Sequence, residues 1–115
     1  MRTSFADSPI ATWFGLTVEI PNVVLVATSD HVGSDGKVNI VALTMVLLAA
    51  SHLAFNESYV SYFTVHPTVK KAEVGDRLVG IAMVKVEYEE SANIHAEVRV
   101  GDKIVAFAEI FRRKA

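Results

Sequence analysis

Residues 38–55 run without a single Asp, Glu, Lys or Arg, within the stretch "GKVNIVALTMVLLAASHLAF" that opens at Gly36. A helix that is apolar on nearly all sides must lie in lipid or be surrounded by protein. The segment is about as long as the roughly 17 to 25 residues of a spanning helix. However, Asn39, Thr44, Ser51 and His52 interrupt it, and no Lys/Arg cluster flanks it to set a topology. The expectation is a buried helix rather than a membrane span, so the rest of the chain has to wrap it.

That remainder reads as strands. "TVEIPNVVLVATSD" is rich in β-branched residues, with Pro21 and Asn22 marking a turn or bulge. After the helix come "SYVSYFTVHPTV", a polar turn at Gly75 and Asp76, and "RLVGIAMVKVEYEE". In "NIHAEVRV" the apolar residues Ile94, Ala96, Val98 and Val100 alternate with His95, Glu97 and Arg99, the period of a strand with one wet face. Gly101 and Asp102 then form a tight-hairpin signal leading into "IVAFAEIFRR". The predicted order is a helical turn around residues 9–14, a strand or hairpin, one long helix, and four strands joined by short turns. The fold class is α+β, an antiparallel sheet curled around one helix.

The 115 residues suit a single domain over residues 1–115, and 51% apolar content supports a core without staples. A net charge of −2 with 21% charged residues argues against a nucleic-acid partner. The absence of cysteine removes disulfides, thiolate nucleophiles and cysteine-ligated zinc together, which fits a cytoplasmic setting. The opening "MRTSFADSPIATWFG" has no hydrophobic run of signal-peptide length.

The order of elements resembles the hot-dog fold, and four stretches carry the likeness to its acyl-CoA thioesterase superfamily. "SPIATWFGLTVE" resembles the opening helix and first strand of those proteins, and "GKVNIVALTMVLLAA" stands where their central helix begins. "VKKAEVGDRLVGIAMVKVEYEE" resembles their strand, Gly-Asp turn and strand, and "VRVGDKIVAFAEIFRR" their closing hairpin. The resemblance implies thioester hydrolysis, with a homodimer or homotetramer formed where sheets join edge to edge. It implies no metal and no cofactor.

The departures fall on the chemistry. In the phenylacetate-degradation type, a His/Asn-Gly-Gly opens the helix and an acid follows about nine residues later. Here Asn39 takes the first position, Ile40 and Val41 replace the glycines, and Leu48 occupies the acid position. In the 4-hydroxybenzoyl-CoA type, an Asp precedes Gly-His-Val-Asn-Asn. "DGKVNI" keeps Gly36, Val38 and Asn39, places Lys37 at the His, and has Gly33 where the Asp stands.

Asp35 is then the best acid on offer, as base or nucleophile, or it is a helix-start charge. Asn39 suits either an amide that holds the thioester oxygen or a cap. Ser61 stands near the Thr or Ser that such enzymes bring from a neighbouring subunit, or is a plain strand hydroxyl. His52 lies about 20 Å along the helix from Asn39 and cannot share its carbonyl; with Glu57 it reads as a helix-terminus residue. His31 and His66 lack a close second metal ligand, and His66-Pro67 suggests an edge strand.

Gly36 and Ile40 would border the substrate, and Tyr59, Phe63 and Phe107 would line an acyl slot or serve as core. By resemblance the cations Lys70, Lys71, Arg112 and Arg113, with Lys114, would meet nucleotide phosphates, or else they are solvated strand ends. The leading expectation is hydrolysis of a small acyl thioester such as an acyl-CoA. The alternative is a non-catalytic acyl-CoA-binding module; a dehydratase, which needs an acid in the helix, ranks below both.

Overall fold

The computed structural model describes residues 15–115, so the helical turn expected around residues 9–14 lies outside the described residues. β1 (Thr17–Glu19) and β2 (Asn22–Val26) form a hairpin through the cis peptide Ile20-Pro21. A single 3-10 turn, Ser29–His31, leads to the one long helix, α1 (Ile40–Ala54). Four strands follow: β3 (Ser58–Pro67), β4 (Arg77–Glu87), β5 (Ser91–Val100) and β6 (Lys103–Lys114). They make one six-stranded antiparallel sheet in the order β1-β2-β4-β5-β6-β3.

The alternation expected for β5 is present. Ala92, Ile94, Ala96 and Val98 are fully buried against α1, while His95, Glu97 and Arg99 take the other face. Small residues let the helix settle close to the sheet. A Cβ on Gly80 of β4 would stand 2.6 Å from Val46 Cγ1 and 3.0 Å from the Val46 carbonyl oxygen, so α1 rests on bare backbone there. The hairpin turn at Gly101 and Asp102 is also where the sequence puts it, since Val100 pairs with Lys103.

Two expectations need correction. The four strands after α1 are not successive hairpins: β3 pairs with β6 at the sheet edge, and residues 68–76 cross over to place β4 in the interior. Polar residues and a Gly-Asp pair mark a turn, but they do not say which strand the turn closes against. The crossover is fastened under the helix start by Val38 N donating to Ala72 O at 2.8 Å and Thr68 Oγ1 to Ile104 O at 2.8 Å.

The second correction concerns the wrapping of α1. The sheet buries only seven of its fifteen residues, and Ile40 and Val41 remain 47% and 61% exposed. One curled sheet covers one side of a helix. No helix among the described residues is long and apolar enough to cross a membrane.

Candidate functional site

Asn39 begins α1 as its N-cap, with Oδ1 accepting from Ala42 N at 2.9 Å, and Leu43 N donates to the Asn39 carbonyl at 3.2 Å. The amides of Ile40 and Val41 have no partner among the described residues. They are the donors that every helix start leaves over, and the helix dipole adds positive potential there. The Asn39 NH2 group is likewise without a partner among the described residues, so capping uses only half of that carboxamide.

The loop before the helix is held on both flanks. Gly36, at φ +77°, makes the left-handed step that turns the chain into α1, and its N–H donates to Gly33 O. Asp35 is exposed, with Oδ1 accepting from Lys37 N at 3.0 Å in a local turn. Lys37, at the position of the resembled motif's His, reaches across to Glu73 at 2.8 Å. The hydrogen bond and charge of Glu73 raise the Lys37 pKa above its ordinary value. Lys37 therefore ties the helix entrance to the crossover.

A cavity of about 150 Å³ opens beside this helix start. Ile40 and Leu43 form its helix wall, Pro67 and Val105 its strand wall, and Lys70 and Lys71 of the crossover complete it. Three of the substrate-binding residues expected from sequence, Ile40, Lys70 and Lys71, are thus brought together. A larger hollow of about 790 Å³ lies between the β1–β2 hairpin and the 3-10 turn. It adjoins Gly15, the first described residue, and no residue of α1 borders it, so size does not select the site.

The other sequence candidates lie elsewhere. Ser61 is the extra residue of a bulge on β3, where the register slips between Val60 and Tyr62, and it is exposed. Six residues separate it from Pro67 at the cavity, about 20 Å of extended strand. Within one chain it cannot meet the helix start. Phe107 is not available to an acyl slot facing α1, because it stacks on His66 at 5.0 Å on the opposite face of the sheet. Tyr59 pairs with exposed Arg113 on that outer face, while Phe63 faces inward beside Ile110. Leu48 is half-buried against the core. Among the described residues no group of three or more His, Asp or Glu side chains is arranged to hold a metal ion.

Arg112 is the clearest correction. It is not a surface cation: only 5% exposed, it sits under the C-terminal end of α1. Its Nε donates to Ser58 Oγ at 2.7 Å, Nη1 to Ser51 Oγ at 2.9 Å, and Nη2 to Ser58 O at 2.9 Å and His52 Nδ1 at 3.0 Å. A guanidinium can only donate, so Nδ1 of His52 carries the lone pair. Burial lowers the Arg112 pKa to about 10, and burial and then the Arg112 charge hold the His52 pKa below its ordinary value. His52, left unexplained by the sequence, is an acceptor in this lock. Strand alternation held the signal: Ala106, Ala108 and Ile110 point inward on β6, and Arg112 continues that phase.

Fold and site together define a hot-dog protein, an antiparallel sheet curled on one helix whose N-terminus opens beside a small cavity. Solved structures bear out that class. The chain superposes on the Escherichia coli PaaI protein of the phenylacetic acid degradation operon with a TM-score of 0.90, at 16% identity over 96% of this chain and 87% of that one. It matches the conserved protein PA5202 of Pseudomonas aeruginosa at 0.86, with 21% identity over 94% of each chain. It also matches Streptococcus mutans smu.793 bound to acetyl CoA at 0.76, with 12% identity over 82% of this chain and 79% of that one. No protein-family model and no curated protein matches the chain.

Proposed function

We propose that this chain binds a small acyl thioester, such as an acyl-CoA, at the start of α1 and hydrolyses it. The observation that carries the reading is the cavity in which Ile40, whose amide has no partner among the described residues, stands with Lys70 and Lys71. The amides and the Asn39 NH2 would receive the carbonyl oxygen and the negative charge it gains as water adds. The lysines would face the phosphates of the carrier. A neighbour of the same fold holds acetyl CoA, which supports the choice of carrier.

In hydrolysis, water loses a proton to a base, its oxygen bonds to the carbonyl carbon, and the C–S bond breaks to give a carboxylate and a thiol. Asp35, on the loop with Gly36, is the acid in this reading. Arg112 is removed from the binding set by its burial, whereas exposed Arg113 stays a candidate phosphate ligand. The reading includes a homodimer or homotetramer in the cytoplasm. A second copy would cover Ile40 and Val41 and bring its own Ser61 toward the water.

Leu48 favours a second reading, binding without hydrolysis, because an alkyl side chain holds the position where the resembled enzymes keep their acid. A free-thiol assay on short-chain, medium-chain and aromatic acyl-CoAs separates the two, run on the parent, Asp35→Asn and Asn39→Ala. Turnover that collapses in Asp35→Asn supports hydrolysis by a displaced acid. No turnover together with calorimetric binding supports the binding module. Neither turnover nor binding ends both readings.

A further inference from the structure

The face of the sheet turned away from α1 carries a second constellation. Two bulges interrupt the ladder at one level: Ser61 is extra on β3 and Lys85 is extra on β4. Between them Tyr62, Phe111, Asn93 and Val86 are direct cross-strand neighbours. Bulges re-aim side chains and bend strands, and two at one level shape this part of the face. A cleft of about 290 Å³ opens there, lined by Tyr62, Phe111, Asn93, Lys85 and Glu109.

Its lining has a specific chemistry. Tyr62 and Phe111 stack with centroids 5.3 Å apart and planes within 16°, yet Tyr62 stays 63% exposed, an aromatic platform without a cover. Asn93 is half-buried and its carboxamide has no hydrogen-bond partner among the described residues. Glu109 is set by His95, whose Nδ1 lies 2.7 Å from Oε1, so that Oε2 turns toward Lys85 at 4.0 Å. A flat ring, an amide that both donates and accepts, a fixed carboxylate and a flexible cation converge on one hollow.

We propose that this cleft binds an adenine nucleotide. The base extends the Tyr62–Phe111 stack, as bases do on exposed aromatic rings. Asn93 meets its N6 and N7 edge, the pairing that suits a carboxamide. The ribose hydroxyls donate to Glu109, and the phosphate faces Lys85. The cleft lies across the sheet from the cavity at the start of α1, so the proposal does not depend on the acyl-thioester reading. The nucleotide has two sources of the same chemistry, a free adenine nucleotide or the nucleotide end of coenzyme A.

The test is a titration of the 15N-labelled chain with AMP and, separately, with coenzyme A, following the Asn93 side-chain NH2 resonances. The expected result is a saturable shift of that pair, weakened about tenfold or more by Tyr62→Ala, the loss that one stacking ring entails. Tyr62 is mostly exposed, so this variant keeps its fold. Equal affinity for the two ligands supports the free nucleotide as occupant, and tighter coenzyme A binding supports its nucleotide end. An Asn93 signal that stays still with both ligands at millimolar concentration overturns the site, as does a shift that Tyr62→Ala leaves unchanged. A Tyr62→Ala chain that sediments differently while its parent gives a flat titration overturns it too, and assigns the face to a second copy.

Discussion

The two ends of α1 use polar side chains in opposite ways. Every helix leaves unpaired amides at its start and unpaired carbonyls at its finish. At the finish, Phe55 N donates to Ser51 O, and buried Arg112 joins Ser51, His52 and Ser58 with four hydrogen bonds. At the start, the Asn39 cap satisfies Ala42 N and leaves the Ile40 and Val41 N–H groups without partners among the described residues, and Ile40 borders a cavity with two lysines. One end is closed on itself and contributes stability. The other keeps donors in reserve, which is what a binding site requires.

Arg112→Met tests the closed end most severely. Methionine fills part of the volume but takes the donor from His52 Nδ1 and from the Ser58 carbonyl, while the Ser51 and Ser58 hydroxyls keep their bonds to Leu48 O and Phe55 O. Each buried polar group stranded in this way costs about 1 to 3 kcal/mol. The net loss expected in urea unfolding is about 3 kcal/mol. Ligand binding at the other end of the helix should be unchanged in the fraction that stays folded. A midpoint equal to the parent's would mean that the guanidinium network adds nothing and that the contrast between the ends is only geometric.

Asn39→Ala acts at the open end and has a smaller effect on folding. Loss of a cap costs about 1 kcal/mol. If the Asn39 NH2 also holds the thioester oxygen, affinity or turnover falls further than that loss of stability explains, and Asn39→Asp separates the two roles. Aspartate keeps the Ala42 N–H acceptor and removes the donor. Restored stability with unrestored ligand response is the expected result, and recovery of both would leave Asn39 as a cap alone.

How much of this was legible in the sequence follows from the range of the interactions. The α1 segment, the β5 alternation and the turn at Gly101 and Asp102 are local patterns, and each stands where the pattern puts it, while the open choice of strand or hairpin around Pro21 falls to the hairpin. The β3–β6 pairing was not legible, because residues 68–76 look the same whether they close a hairpin or cross the sheet. The clustering of Lys70 and Lys71 with Ile40 came from resemblance, and no spacing predicts it. The burial of Arg112 is hard to read from sequence for a different reason. Its neighbours Arg113 and Lys114 give the segment the composition of a solvated cationic tail, which masks the inward phase Arg112 shares with Ala106, Ala108 and Ile110. Its partners Ser51 and His52 lie 61 and 60 residues away, beyond any motif.

The smallest expected effect is also the most selective probe of the closed end. Neutral His52 accepts from Arg112, and a protonated ring would lose that bond and set a second cation 3.0 Å from the first. Burial first and the Arg112 charge second lower its folded pKa below the ordinary 6.5. The unfolded chain therefore takes up the proton first as pH falls. Stability from this contact is complete above the unfolded pKa and is lost as pH falls through the lowered folded value. The chain carries three other histidines, so the informative quantity is a difference between chains. His52→Gln, which keeps an acceptor that does not titrate, should show a shallower decline in unfolding free energy from neutral pH toward pH of about 5. Parallel curves for the two chains would mean that His52 keeps its ordinary pKa on folding and that the closed end tolerates a second positive charge.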